Sequence, residues 1–383
     1  MLAERISTES RTAECADTRA RPSTRKAVTV THTTLIENYP HRMGGHCGSG
    51  AMRDLLHWHG LGWDGPPDEG LVFALGGDLG LSYLRSNDLV PPMYLVGRGA
   101  DFEIDLPRRL GGQVEVLTTD DPGEGWSWVR DDIDAGRPSL VWADIAELPY
   151  LRVKLQMSRH DIVVIGYDEI GGTASVVDND RADVQEITLD ALARARSSTS
   201  FPQPTRHCTY RIAWPQTLPP VSTAAAAAFA RSAASMRSPS TPGIADHVPA
   251  ASAEGLAAVD QLATDVRSWV DLPPDDLETL LFSLGVFIEK AGTGGGLFRR
   301  LLADGCTEIA RLTGDPATAD LAAAADHCAQ AWTETARAGT QRGLDARTRA
   351  AAVAVSAARL PALELILAES LESASRSLSA ITR

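Results

Sequence analysis

The chain has 383 residues, 44% of them hydrophobic and 22% charged, which is typical of a soluble globular protein with room for two or more domains. A formal net charge of −14 argues against a phosphate-backbone partner, so we expect no nucleic acid. Apolar runs stay shorter than the roughly 18 residues of a membrane span, so we expect no membrane partner. Five scattered cysteines without a CxxC pair fit a reducing cytoplasm better than a disulfide framework.

The first 28 residues are rich in Arg, Ser and Thr and contain no continuous apolar stretch like that of a secretory signal. We expect a disordered leader over residues 1–28 and a cytoplasmic protein. Residues 29–214 then mix short β-type runs with helical patterns. The candidate strands, each rich in β-branched residues, are residues 140–145, 161–169 and 174–180.

The composition changes after Trp214. Residues 215–250 are rich in Ala, Pro and Ser, which predicts a linker in which the alanine run allows one helix. Residues 251–383 show helical periodicity broken at Gly and Pro positions, which predicts an all-α domain. We expect its core to contain the large side chains, among them Trp269, Phe282 and Trp332.

Cys47 stands at the expected start of a helix, because Met52, Leu55, Leu56 and His59 follow at three- and four-residue spacing. A helix N-terminus and a nearby imidazolium both lower the pKa of a cysteine and thereby favour the nucleophilic thiolate. The glycines before Cys47 allow close approach of a substrate. The N–H groups that open the helix could hold an oxyanion.

Other interpretations of Cys47 stay open at this point. A lone cysteine is often a small apolar residue that fills a core. A metal site formed with His46, His57 and His59 is disfavoured, because His57 and His59 are two residues apart and point to different sides of a helix. We therefore expect no metal.

A base and an orienting carboxylate are available in the segment SRHDIVVIGYDEIGGTASVVDND. His160 begins a β-type run, and after a Gly-Gly turn a second run ends at Asp178. Antiparallel pairing of the two runs would bring these residues together across 18 positions of sequence. Cysteine at a helix start, followed along the chain by His and Asp on neighbouring strands, is the order of papain-like cysteine enzymes.

The run AGTGGGLFRR, residues 291–300, places glycines before a helix that carries Arg299 and Arg300. Backbone N–H groups and guanidinium groups here could bind an anion such as a phosphopantetheine phosphate. A turn between helices with solvated arginines is an equally good interpretation, because the GK[ST] of a P-loop does not follow.

The order of several segments resembles the N-terminal domain of the butirosin biosynthesis protein H family. These segments are HRMGGHCGSGAMRDLLHWHGL, EGLVFALGGDLGLSYL, LVWADIAELPYL, RHDIVVIGYDE and VVDNDRADVQEITLDALARAR. The tail segment FIEKAGTGGGLFRRLLADG is similar to the helical domain that often follows in that family. The resemblance implies an α+β, papain-like fold used for acyl transfer, in which a helix carrying the cysteine packs on an antiparallel sheet.

Carried over by position, the resemblance implies Cys47 as nucleophile, His160 as general base and Asp178 as the carboxylate that orients the imidazole. Glu69 and Tyr150 fall in motifs that recur in the family and are candidates for lining the site. The plain alternatives are a helix N-terminal charge for Glu69 and a core aromatic for Tyr150. The full set of candidates for binding the substrate or an oxyanion is Gly45, His46, Glu69, Asp144, Tyr150 and Arg299.

The second oxyanion donor is open. Related bacteriocin peptidases carry a glutamine shortly before the cysteine, whereas no Gln precedes Cys47 in this chain. Asn38, His41 and His46 are the available substitutes.

The resulting hypothesis is a cysteine-dependent acyltransferase of natural-product biosynthesis, which moves an acyl or aminoacyl group through an acyl-enzyme on Cys47. The donor is an acyl carrier protein or another thioester, and the acceptor is a small-molecule amine. Amide formation from a thioester runs downhill, so we expect no cofactor apart from the phosphopantetheine of the donor. A peptidase or amidase with the same triad and a catalytically silent scaffold module are the alternatives. The helical domain covers the site, binds the donor or forms a homodimer.

Overall fold

The N-terminal half of the protein is organised around an antiparallel sheet. The computed structural model describes residues 33–86, 89–237 and 251–381, so the expected leader and residues 238–250 of the expected linker lie outside the described residues. Up to Arg237 the elements are β1 Thr33–Leu35, α1 Cys47–Trp58, α2 Glu69–Gly76, β2 Leu79–Arg85, β3 Met93–Arg98, α3 Phe102–Arg109, β4 Gln113–Leu117, α4 Pro122–Asp134, β5 Ser139–Ala143, β6 His160–Asp168, β7 Thr173–Val177, β8 Gln185–Thr188, α5 Leu189–Arg196, β9 Thr209–Ala213 and α6 Val221–Arg237. From residue 251 onward they are β10 Ala251–Glu254, α7 Leu256–Asp265, α8 Pro274–Glu289, α9 Arg299–Thr313, α10 Pro316–Thr340, α11 Ala346–Ala357 and α12 Leu360–Ile381.

Seven strands form the main sheet in the order β4, β9, β5, β6, β7, β8, with β1 also paired to β6. Every pair is antiparallel. β6 is buried from its first residue to Tyr167, in keeping with its run of β-branched residues. β7 returns beside β6 with Val177 opposite Val163, so the expected hairpin is present and the end of β7 lies near the start of β6.

A second antiparallel sheet consists of β10, β2 and β3. The strand β10 departs from the sequence-based prediction of helices alone after residue 250. Its residues, Ala-Ser-Ala-Glu, have little β propensity, but the edge of β2 offers N–H and C=O groups, and this pairing outweighs local preference. All other described elements after β10 are helical. The predicted α+β class with antiparallel sheets is confirmed.

The C-terminal helices pack directly on the N-terminal half: α9 lies against α2, and α12 lies against α6. Within the glycine run, the N–H of Gly294 donates to the Gly45 carbonyl at 3.0 Å. A Cβ on Gly45 would lie 2.6 Å from the Gly294 Cα, so this approach requires glycine. The loop before Cys47 is thereby fixed against the C-terminal region. The domain boundaries at residues 214 and 250 stay a prediction.

Arg299 connects these parts from a fully buried position. Its guanidinium pairs with Glu364 of α12 at 2.7 and 3.1 Å, and it donates to the carbonyls of Gly80 and Gly97 at 3.1 Å each. The prediction that Arg299 binds a substrate anion is therefore corrected, because this side chain is enclosed by protein and its charge is already paired.

The core of the helical region contains Trp269 and Trp332, as predicted, but Phe282 of α8 is 68% exposed. The helical repeat places Phe282 on the same face as the exposed residues Asp275 and Glu278. The prediction that Phe282 lies in the core was therefore wrong, because it rested on the hydrophobic character of the side chain alone.

One stretch of the described residues, Ala346–Ile381, is long and apolar enough to cross a membrane by length and composition alone, and an 18-residue window within it has a mean hydropathy of 1.7. It comprises α11 and α12. Core helices of soluble proteins have the same composition, and α12 packs against α6 and α10. The stretch is only a weak indication of a membrane span, and a cytoplasmic location stays a prediction.

Candidate active site

Cys47 is the first residue of α1, and Glu69 at the start of α2 fixes the loop that leads to it. The Glu69 carboxylate accepts hydrogen bonds from the N–H groups of Gly45 and His46, each at 2.8 Å, and from the Ser49 hydroxyl at 2.9 Å. A carboxylate at this position also interacts favourably with the α1 dipole. Glu69 is thus a positioning residue. The N–H groups of Gly45 and His46 are occupied by it rather than directed to a substrate.

The structure brings His160, Asp178 and Tyr150 together. Nε2 of His160 lies 2.7 Å from Oδ2 of Asp178, and the Tyr150 hydroxyl donates to the same oxygen at 2.9 Å. The other Asp178 oxygen accepts the N–H of Asp180 at 3.0 Å. Tyr150 therefore contacts the catalytic candidates through the carboxylate of Asp178.

The pKa values of Cys47 and His160 are shifted in opposite directions. Burial alone would raise the pKa of the Cys47 thiol, but the His46 ring and hydrogen bonding to His160 hold that pKa well below its ordinary value. Burial alone would lower the pKa of His160, but Asp178 and the Cys47 sulfur raise it well above its ordinary value. These neighbouring groups therefore favour the thiolate on Cys47 and the imidazolium on His160.

Two carboxyl groups that the sequence analysis missed lie beside this sulfur. Oδ2 of Asp161 is 3.7 Å from Sγ of Cys47, and both Asp161 and Glu103 are buried. A Cβ on Gly48 would lie 2.8 Å from Oε1 of Glu103 and 3.2 Å from Oδ2 of Asp161. Glycine at the second position of α1 therefore makes room for the carboxyl pair.

The pKa values of the two carboxyl groups are shifted in opposite directions. Burial and the neighbouring Glu103 charge raise the pKa of Asp161 well above its ordinary value. Burial would also raise the pKa of Glu103, but Arg98, Arg159 and the hydrogen bond with Asp161 lower it. These shifts favour one proton shared by the two groups, with the neutral acid on Asp161 beside the Cys47 sulfur.

The His46 ring presents an unused N–H beside Cys47. Nδ1 of His46 accepts the N–H of Ser49 at 3.2 Å, which caps α1 and leaves the ring proton on Nε2. Three phenylalanine rings pack edge-on against the imidazole, with centroids 5.3 to 6.1 Å away. Nε2 is buried and has no hydrogen-bond partner of ordinary geometry in the described part of the chain.

The two other substitutes for the missing glutamine lie elsewhere. Nδ1 of His41 is 3.0 Å from Asp54, and its Nε2 is 2.7 Å from the Arg181 carbonyl. Asn38 is exposed in a turn of positive φ. His46 is the one of the three that lines the cavity beside Cys47.

Asp144 organises one wall of the site without reaching the substrate space. Its carboxylate accepts the N–H groups of Ala146 and Met157 at 3.0 and 3.1 Å and the Ser198 hydroxyl at 2.6 Å. These bonds fix the segment 145–157, and five side chains of that segment line the cavity. The prediction that Asp144 lines the site is thus corrected to a positioning role.

A cavity of about 390 Å³ lies against Cys47 and His160. Its walls come from β2 and β3, from the segment 145–157, and from the end of α8 with the glycine run. A second cavity of about 420 Å³ lies at Asp132, Arg137 and Arg211, whose charged groups pair with one another. The cavity at Cys47 is therefore the candidate active site.

Two signals in the sequence could have revealed the missed residues. Asp161 is an acid inside an otherwise apolar strand, next to His160, and such an acid needs a reason to be buried. Asp180 follows Asp178 by two positions and lines the cavity.

Among the residues that the structure describes, no group of three or more His, Cys, Asp or Glu side chains is arranged to hold a metal ion.

We expect alkylation of Cys47 by iodoacetamide to stay fast as the pH falls from about 8 to about 6, because the thiolate persists. An ordinary thiol with a pKa of about 8.5 loses about tenfold per pH unit over that range. Asp178→Asn removes the charge that stabilises the imidazolium, so the rate of Cys47 alkylation near pH 6 should be lower in this variant than in the parent protein. Peptide mapping identifies the labelled cysteine, and a parent profile like that of an ordinary thiol would contradict the ion pair.

Asp161→Asn should leave the pH profile of Cys47 alkylation unchanged, because an amide replaces a neutral acid and can still donate to Glu103. Asp161→Leu removes the donor and should move the profile to higher pH. Stopped-flow or quenched alkylation at several pH values measures both. A shift of the Asp161→Asn profile to lower pH would mean that an ionised carboxylate had been removed, and the shared proton would be refuted.

Two known families match parts of the chain. Residues 46–179 match the family described as butirosin biosynthesis protein H, N-terminal, and residues 190–371 match a domain of unknown function, DUF4872. No curated protein matches the chain at a significant level. The first match begins at His46 and ends at Asn179, so it contains Cys47, His160 and Asp178. The match over residues 46–179 confirms the resemblance to the butirosin biosynthesis protein H family that the sequence motifs indicated.

Proposed function

We propose that this protein transfers an acyl group from a thioester to an amine through an acyl-enzyme on Cys47. The observation that carries the proposal is the buried Cys47–His160 pair, with Asp178 at 2.7 Å from the imidazole, at the wall of a cavity of about 390 Å³. The family match supports a biosynthetic enzyme. The packing of α1 on β6, with His and Asp on neighbouring strands, supports a papain-like arrangement.

In the first step the Cys47 sulfur attacks the thioester carbonyl, and a tetrahedral oxyanion forms. Its collapse breaks the bond to the donor sulfur, which takes the proton from His160 and leaves as a thiol. In the second step an amine attacks the Cys47 thioester and gives its proton to His160, and the Cys47 thiolate leaves as the amide forms. Asp178 keeps the imidazole oriented and stabilises its cation. These steps require no cofactor beyond the phosphopantetheine of the donor.

We assign the oxyanion to two donors. The N–H of Cys47 opens α1 and has no partner within its own helix. Nε2–H of His46 is the second donor, since it is buried beside the sulfur and has no hydrogen-bond partner of ordinary geometry among the described residues. A preorganised donor of this kind stabilises the charge that develops in the transition state.

Asp180 supports an amine as the acceptor. Its side chain is exposed and lines the cavity. Partial burial and the Asp178 charge raise its pKa, while His160 and Arg181 act in the other direction. A carboxylate at this position attracts an ammonium group, and it can take up the proton that an amine must lose before it attacks.

Exposed cationic residues at the same cavity support an acyl carrier protein as the donor, since carrier proteins are generally acidic. The chain contains three lysines in all. Lys290 lines the cavity, and Lys154 stands between Val153 and Leu155, which also line it. Arg152 directly precedes Val153, and the side chains of Arg152, Lys154 and Lys290 are all exposed. This local positive charge gives an acidic donor a docking site on a chain whose net charge is −14.

Incubation with an acyl thioester of N-acetylcysteamine should add the mass of the acyl group to the intact protein, because the Cys47 thiolate displaces the small thiol. The adduct should be absent in Cys47→Ala. Cys208→Ala is the matched control and should keep the adduct, because burial raises the pKa of that thiol to about 12. Intact-protein mass spectrometry measures all three proteins.

The fate of the adduct separates the remaining functions. Addition of primary amines should release an amide, detected by mass spectrometry of the small-molecule fraction. Release of free acid in the presence of every amine would identify a hydrolase with the same triad instead. Absence of the adduct from the parent protein would leave the scaffold interpretation and end the proposal.

His46→Phe should slow acylation by about 10²- to 10³-fold, the usual effect of removing one oxyanion donor. A phenyl ring fits among the phenylalanines that surround His46, so the fold should be retained. Alkylation by iodoacetamide forms no oxyanion, and near pH 9, where the thiol is ionised in both proteins, its rate should change little. Equal losses of acylation and alkylation would assign His46 to packing alone.

A further inference from the structure

The cavity at Cys47 is enclosed mainly by apolar side chains from three parts of the fold. Its volume of about 390 Å³ falls within the range of about 300 to 1,000 Å³ found for small-molecule sites. The second sheet, the segment 145–157 and the C-terminal region each contribute to this wall. Representative residues are Leu81, Leu95, Leu151, Leu155, Phe287 and Phe298.

The arginines that line the cavity are already partnered by protein groups. Arg98 lies 3.7 Å from the Asp78 carboxylate and donates to the Gly99 carbonyl at 3.0 Å. Arg159 lies 3.7 Å from Glu103, donates to a backbone carbonyl and stacks over Trp142 at 4.5 Å. Nε of Arg159 is buried without a hydrogen-bond partner among the described residues, but both guanidinium groups already lie beside a protein carboxylate. A carboxylate on the substrate would therefore compete with these internal partners.

Apolar side chains also reach solvent at this cavity. Val153 and Leu155 are 41% and 36% exposed, and both line it. Such side chains gain from burial only when an apolar group covers them, and exposed apolar surface beside a cavity commonly marks a ligand site.

We infer that the acyl group of the donor is an uncharged apolar chain, aliphatic or aromatic, which occupies this cavity while its carbonyl lies at Cys47. This inference rests on the acyl transfer proposed above. It names a substrate class that differs from an aminoacyl group, because the Arg, Lys, Asp and Glu side chains of the lining are engaged or exposed. The two arginines contact protein carboxylates, Glu254 accepts the Ser82 hydroxyl at 3.4 Å, and Asp180 and Lys290 are exposed.

The test is a series of N-acetylcysteamine thioesters from acetyl to decanoyl, with the rate of Cys47 acylation measured by mass spectrometry. Each methylene that becomes buried is worth roughly fourfold, so the rate should rise along the series until the cavity is filled. Suberoyl, an eight-carbon chain that ends in a carboxylate, is the matched comparison with octanoyl. We expect it to be at least about tenfold slower, since its charge would be desolvated.

A variant that narrows the cavity gives a second test. Val286 of α8 is partly buried and lines the cavity, so Val286→Trp should shift the optimum to shorter chains. Val355→Trp, at a position of α11 that is 78% exposed, is the matched control and should leave the optimum unchanged. Circular dichroism and thermal melting show whether both variants are folded.

The outcomes separate this inference from the proposed function. Acylation at equal rates along the series, or faster with suberoyl, would refute the apolar acyl group and leave acyl transfer intact. A third outcome is an acylation rate that does not change with acyl chain length, combined with amide release that becomes faster along a series of longer alkylamines. This outcome would assign the apolar chain to the acceptor and would also refute the inference. Calorimetry on Cys47→Ala measures binding of the thioesters without any reaction, because this variant lacks the sulfur that would be acylated. Tighter binding of octanoyl than of acetyl or suberoyl thioester supports the inference even where the parent forms no adduct, and equal binding refutes it.

Discussion

The candidate active site depends on neighbouring groups that favour a Cys47 thiolate and a His160 imidazolium although both residues are buried. Burial by itself opposes both charges, because it raises the pKa of a thiol and lowers that of an imidazole. Neighbouring groups must therefore outweigh it. Asp178 supplies the negative charge at 2.7 Å from the imidazole, while the raised pKa of Asp161 favours its neutral form and so disfavours a second anion beside the sulfur. Both carboxyl groups thus act in favour of the pair.

The same constraint explains why the two halves of the chain are packed together. Glu69 from α2 holds the loop before Cys47 by three hydrogen bonds, and Gly294 from the C-terminal region bonds to the other side of that loop. Arg299 extends this contact to β2, β3 and α12. The C-terminal region is therefore part of the site, since it fixes the loop that carries the nucleophile and supplies one wall of the cavity.

The catalytic candidates were accessible from the sequence because local patterns determine their placement. A helical repeat locates the start of α1 at Cys47, and one β-hairpin brings His160 to Asp178. The supporting groups were not accessible in this way. Whether Arg299 faces solvent or Glu364, 65 positions away, depends on tertiary packing that local charge does not encode. Glu103 and Asp161 likewise come together from α3 and β6, and no spacing rule connects an acid on a helix to one on a distant strand.

The nature of the acyl group bears on the choice between transfer and hydrolysis. A thioester on Cys47 reacts with whichever nucleophile reaches its carbonyl, and water is always the more abundant one. A cavity filled by an apolar chain holds few water molecules, so the binding energy of the chain would also protect the acyl-enzyme. Asp180 then offers an exposed carboxylate at this cavity that attracts an amine. On this argument a short or polar acyl group should lose part of the protection, and the ratio of amide to free acid should follow the fit of the chain rather than the basicity of the amine.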